Sequence, residues 1–159
     1  MAVLVRFQPH APIHNTVVIT TKTIYNFLME FDNATTNTKQ GDMGEARAIY
    51  EYTRLGYTVL TPLTDSDKFD IVIYDGEKFL RVQSKTSTQK KKGGGYEVQL
   101  RQTGGNTKKH TSRNRHENDY DILFVLLEDG RCFSIPAPIL NKATVSIIVG
   151  NTKYNEYQI

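Results

Sequence analysis

A chain of 159 residues, 38% hydrophobic and 23% charged, has the composition of a globular domain built on one core. Its longest clean apolar run, Ile122 to Leu127, is far too short to span a bilayer, and "MAVLVRFQPHAP" lacks the pattern of a secretory signal. The net charge of +3 hides an asymmetry: Arg81 to Arg115 holds ten Lys or Arg against the single acid Glu97, a local charge of +9, leaving −6 on the remainder.

Residues 1–40 read as an extension of uncertain structure. Within it "TVVITT" suits a strand, "KTIYNFLMEF" a short helix and "DNATTNTKQ" a polar linker. Residues 41–159 read as the main domain. A helix is expected over "GDMGEARAIYEYTRLGY", with Asp42 as N-cap, Arg54 and Gly56 as stop signals, and Met43, Ala46, Ile49 (or Tyr50) and Thr53 as its apolar stripe. The segments "YTVL" and "FDIVI" follow as strands. Asp75-Gly76 is a strong turn signal and joins "FDIVI" to "FLRVQSKT" as an antiparallel pair.

"YEVQLR" is a further strand after a glycine-rich loop, and "GGNTKKHTSRNRHEN" reads as a long basic loop. "YDILFVLLE" has the continuous apolar character of a strand buried on both faces. Asp129-Gly130 turns it into "RCFSIP", and "TVSIIVG" is expected to add a last strand. The expected class is α/β, a mixed sheet covered by helix. Cys132, the only cysteine, rules out an intramolecular disulfide and fits a packed strand thiol in a reducing, cytoplasmic setting.

The strand "FLRVQSKT" carries the chemistry. Alternation places Leu80, Val82 and Ser84 on one face and Arg81, Gln83 and Lys85 on the other. If the hairpin register sets Asp70 opposite Gln83 and Lys85, three polar groups converge. Glu45, early in the helix, can reach the same sheet edge, although Asp42 and Glu45 also have the spacing of a capping box. Two carboxylates and an amide oxygen suit a hard cation such as Mg²⁺, and Lys85 can stabilise negative charge.

These residues resemble the core of the PD-(D/E)XK nuclease superfamily: an Asp at the start of a hairpin, then Asp or Glu, any residue, and Lys, with an upstream helical Glu. "YDILFVLLEDGRCFSIP" is similar to the end of one branch, the homing endonucleases encoded by group I introns, notably the cyanobacterial type in a transfer-RNA gene. The chain departs from the pattern in carrying Gln83 at the acid position, as intron-encoded members of that branch do. The resemblance implies a restriction-endonuclease-like sheet flanked by helices. It implies Mg²⁺, one or two ions per site, held by Asp70 and Gln83 with Glu45 as outer or second-metal ligand, and Lys85 activating water. It also implies hydrolysis of double-stranded DNA to 5′-phosphate and 3′-hydroxyl ends.

The basic sector supplies the DNA-binding candidates. Lys90, Lys91, Lys92, Lys108 and Lys109 are expected on phosphates. Arg101, Arg113 and Arg115 can also reach guanine edges, Gln99 and Gln102 are weaker base readers, and Arg81 completes the set. Cutting both strands implies a homodimer or homotetramer, nucleoid-associated when bound, with "TVSIIVG" and "KYNEYQI" as candidate self-association surfaces. The alternatives are a Holliday-junction resolvase or restriction-type nuclease, or a DNA-binding module without catalysis.

Overall fold

The computed structural model describes residues 36–64, 67–106 and 109–159, with side chains of residues 103–111 outside the description. Residues 34–159 form one compact unit. The strand and helix expected before residue 35, and Lys108, lie outside the described residues.

Helix α1 spans Asn37–Arg54. It starts five residues before Asp42, inside the segment expected to be a linker. Thr36 is its N-cap and accepts the backbone N–H of Lys39 through Oγ1 at 3.3 Å. Asp42 is therefore not the cap, and Glu45 sits in mid-helix, where a capping box cannot form. The buried stripe also differs from the expected one: it is Gly44, Ala48, Glu51 and Tyr52, while Ala46, Tyr50 and Thr53 are exposed. The buried Glu51 is neutralised by Arg47 and Arg54, at 2.7 and 2.8 Å, so a carboxylate can occupy the core side. Tyr52 then packs on Phe124 and bonds Ser134 Oγ at 2.9 Å.

Five strands form the main sheet: β1 (Thr58–Leu60), β2 (Ile71–Tyr74), β3 (Phe79–Ser87), β7 (Ile122–Leu127) and β8 (Cys132–Pro136), in the order β1-β2-β3-β7-β8. Only β3 and β7 pair in parallel, so the sheet is mixed. A parallel pair needs a long crossover. The excursion between them supplies it with β4 (Tyr96–Gln99), β5 (Gln102–Asn106) and β6 (Lys109–Arg113). The expected turn at Asp75-Gly76 holds: Asp75 Oδ1 accepts the backbone N–H of Glu77 and of Lys78 at 2.9 Å, and Gly76 takes φ +101°.

One α-helix among the described residues covers one face. The other face is covered not by a helix but by a ribbon of β4 and β9 (Ser146–Val149). Tyr96, Val98, Ile147 and Val149 of the ribbon pack on Leu123, Val125, Phe133 and Ile135. Strand β3 is therefore covered on both sides, and Gln83 is only 6% exposed. Two of the sequence expectations change with this arrangement. The basic "loop" is a two-stranded hairpin, β5 with β6, because residues 102–106 and 109–113 pair through backbone groups that need no apolar pattern. The proposed self-association segments complete the fold instead: Ile147 and Val149 are buried, Tyr154 is 1% exposed, and the Ile159 N–H donates to Cys132 O at 3.0 Å. Cys132 is buried, which pushes its thiol pKa up to about 11, as a packed and unreactive thiol requires.

Candidate active site

The hairpin register decides the site. Ile71 faces Val82, so continuing the antiparallel ladder by one residue sets Asp70 across from Gln83. The Asp70 N–H still donates to Val82 O at 2.9 Å. Beyond Asp70 the partner strand ends, and the second half of β3 is open on that edge. The first amide on the open edge, that of Ser84, donates to Asp70 Oδ2 at 2.6 Å. A side chain thus replaces the missing backbone carbonyl of β2. Gln83 Nε2 donates to the same oxygen.

Alternation along β3 then puts Lys85 on the Gln83 face, where its parallel neighbours are Leu123 and Val125. Burial pushes the Lys85 pKa down, opposed by the charges of Asp70 and Glu45. Burial also holds the Asp70 carboxyl above its ordinary range, opposed by the Ser84 amide, Lys85 and Gln83. Two opposite charges that are both pushed toward neutrality mark a desolvated pair, a common property of catalytic groups.

Helix α1 reaches this point because Gly44 has no side chain. A Cβ there would land on Thr86 Oγ1 and 3.1 Å from Ser84 Oγ. The close approach brings the next residue, the exposed Glu45, to the rim of the opening. Glu45, Asp70, Gln83 and Lys85 all line one cleft of about 730 Å³, together with Gln99 and Arg101.

Among the described residues no three His, Cys, Asp or Glu side chains cluster as a metal cage. The donor set nevertheless fits a hard cation that keeps most of its water: one partly buried carboxylate short of compensating charge, a second carboxylate at the rim, and an amide oxygen. The Gln83 amide presents its NH₂ toward Asp70, so its oxygen must turn before it can act as a ligand.

The DNA-binding candidates separate by environment. Lys90, Lys91 and Lys92 are exposed on the turn between β3 and β4, with Lys91 paired to Glu97 at 2.6 Å. Gln99 and Arg101 are exposed at the cleft, and Lys109 lies in β6. Arg81 is held by Asp121 at 3.0 Å and donates to Asn118 O at 2.9 Å. Arg113 donates to Asp119 at 2.9 Å and to Gln102 at 2.6 Å. Arg115 is only 3% exposed and donates to the carbonyls of Ala137 and Ala143 at 3.2 and 3.4 Å, so it ties loops together from within.

Sequence reasoning missed Gly44, whose role is visible only as a close contact, and Asp121, whose basic partner lies forty residues upstream. Gln102 is expected from sequence to be a weaker base reader. In the fold, Gln102 Nε2 lies 3.3 Å from Gln83 Oε1, and no sequence spacing signals that contact.

A mixed sheet with an Asp at a hairpin opening and an x-Lys pair on the adjacent strand defines a nuclease of the restriction-endonuclease-like class. The chain belongs to the PD-(D/E)XK endonuclease family, whose model matches residues 35–158. It is 32% identical over 89 residues to Protein 5.3 of Escherichia phage T7, spanning 56% of this chain and 71% of that protein. Its fold is similar to that of a bacterial homing endonuclease, I-Ssp6803I, with a TM-score of 0.64 at 24% identity, over 77% of this chain and 88% of the other. No helix among the described residues is long and apolar enough to cross a membrane.

Proposed function

We propose that this endonuclease is Mg²⁺-dependent and site-specific, and that it cuts both strands of duplex DNA as an intron-type homing endonuclease. The observation that carries the reading is the convergence of Asp70, Gln83, Lys85 and Glu45 in one cleft beside an exposed basic rim. The fold likeness to a homing endonuclease supports the choice within the family. When bound, the metal supplies Lewis-acid activation of water and charge neutralisation at the phosphate.

The chain's own groups do the rest. Asp70 and Gln83 would hold the cation at the mouth of the hairpin, with Glu45 of the helix as an outer or second-metal ligand. Lys85, desolvated and beside Asp70, orients the attacking water and stabilises charge that builds on the phosphoryl oxygens. Lys90, Lys91, Lys92 and Lys109 contact backbone phosphates, and Arg101 and Gln99 sit where they can reach base edges. Arg115 is left out of that set by its burial. One cleft cuts one strand, so two copies act together on a duplex.

The test is cleavage of a randomised duplex library with Mg²⁺, followed by sequencing of the cut ends. Asp70→Ala and Lys85→Ala should each abolish cutting while DNA binding persists. Parental cutting by either variant would refute the site. Cutting of four-way junctions in preference to linear duplex would favour a resolvase.

A further inference from the structure

The polar chain leading away from Asp70 has a direction, and groups with a single hydrogen-bonding role set it. A guanidinium can only donate. Arg113 gives one hydrogen bond to Asp119 Oδ1 at 2.9 Å and another to Gln102 Oε1 at 2.6 Å. Gln102 must therefore turn its carbonyl toward Arg113 and its NH₂ the other way. That NH₂ meets the Lys68 backbone carbonyl at 3.1 Å, which can only accept, and Gln83 Oε1 at 3.3 Å. Gln83 must then point its own NH₂ away from Gln102. There it meets a carboxylate oxygen of Asp70 and the Ser84 carbonyl, the latter at 3.3 Å. Oxygen and nitrogen of an amide are nearly alike in shape. Here the guanidinium at one end and the peptide carbonyls along the way determine both amides.

This polarity places a donor where a cation would need a lone pair. The amides also cannot reverse independently. Turning Gln83 alone would set its NH₂ against that of Gln102. Turning both would set the Gln102 NH₂ against Arg113 and its oxygen against the Lys68 carbonyl. A ligand-competent Gln83 therefore requires that Gln102 release Gln83 or that Arg113 release Gln102. Arg113 closes the basic hairpin at the end of β6, with its side chain 36% exposed.

We infer that Gln102 and Arg113 form a polarity latch that keeps the Gln83 oxygen away from Asp70 until DNA draws Arg113 onto a phosphate. Both are positioning residues that act through Gln83. The inference rests on Asp70 and Gln83 being the metal ligands. It makes DNA and metal binding cooperative, each strengthening the other by the same factor.

The test uses Mn²⁺ alone, without DNA, titrated by the loss of its free-ion electron paramagnetic resonance signal. Gln102→Leu and Gln102→Met are both neutral, so a gain in affinity does not come from added charge. Either should bind Mn²⁺ about 2- to 10-fold tighter than the parent, the span expected for losing one neutral hydrogen bond. In a Gln83→Glu background, which has no NH₂ to misdirect, the same substitutions should give no gain. A merely structural Gln102 would give no such difference between backgrounds. Unchanged or weaker Mn²⁺ binding by folded Gln102 variants overturns the latch, and if Asp70→Ala still abolishes binding the metal-site reading survives. Parental Mn²⁺ affinity in Asp70→Ala overturns both. If the leucine variant fails to fold, the methionine variant decides by the same readout.

Discussion

Gly44→Ala tests how the helix is seated against the catalytic strand. The substitution improves helix propensity by about 1 kcal/mol, and propensity alone predicts a more stable protein. The contact geometry predicts the opposite. The new methyl falls on Thr86 Oγ1, which is committed to Gln40 O at 3.0 Å and so cannot swing aside without loss. Overpacking costs about 1–3 kcal/mol, and the disrupted hydrogen bond adds about 0.5–1.5 kcal/mol. The balance is a loss of about 0.5–3.5 kcal/mol, measurable as a fall of several degrees in Tm. Activity should fall further than stability, because the helix is pushed outward with Glu45 on it, and a displacement near 1 Å can cost about 100-fold. Thr86→Ala should restore a large part of both in the double variant, since it removes the clashing hydroxyl and leaves Ser84 Oγ, at 3.1 Å, as the nearest neighbour. The measurements are thermal denaturation and cleavage rate for the two single variants and the double. A Gly44→Ala protein more stable than the parent, or a double variant no better than the single, would refute the close-packing argument.

Two further outcomes follow from the charges. Asp70 must be ionised to hold a cation, and burial raises its pKa, so Mn²⁺ affinity should begin to fall on acidification at a higher pH than for an ordinary aspartate. Lys85→Met removes a charge that lowers the Asp70 pKa and should move that onset higher still; an unmoved onset would show that the two groups do not interact. Arg115→Ala should cost about 1–3 kcal/mol by leaving the buried carbonyl of Ala137 and the half-buried one of Ala143 without this donor. Its base preference, read by sequencing cleaved library members, should match the parent's at every position, and a change at one position would place Arg115 on DNA.

Local patterning made much of the chain legible before any coordinates. The Asp75-Gly76 turn, the two faces of β3 and the unbroken apolar run of β7 depend on contacts within a few residues, and each appears where the pattern puts it. The order Glu45, Asp70, Gln83, Lys85 was visible as well, but the register that sets Asp70 across from Gln83 was left open by the sequence and is read from the fold. The start of α1 was not legible: Thr36 outcompetes Asp42 as cap, and the tertiary contact at Gly44 rather than the apolar count chooses the buried face. The basic hairpin was hidden because backbone pairing leaves no apolar signature. Environment was decided only by the fold. Arg81, Arg113 and Arg115 look alike in a basic stretch, yet one is tied to Asp121, one to Gln102 and Asp119, and one is buried among carbonyls. A side chain's partners come from strands far apart in sequence, and burial determines whether its charge faces solvent or is held inside.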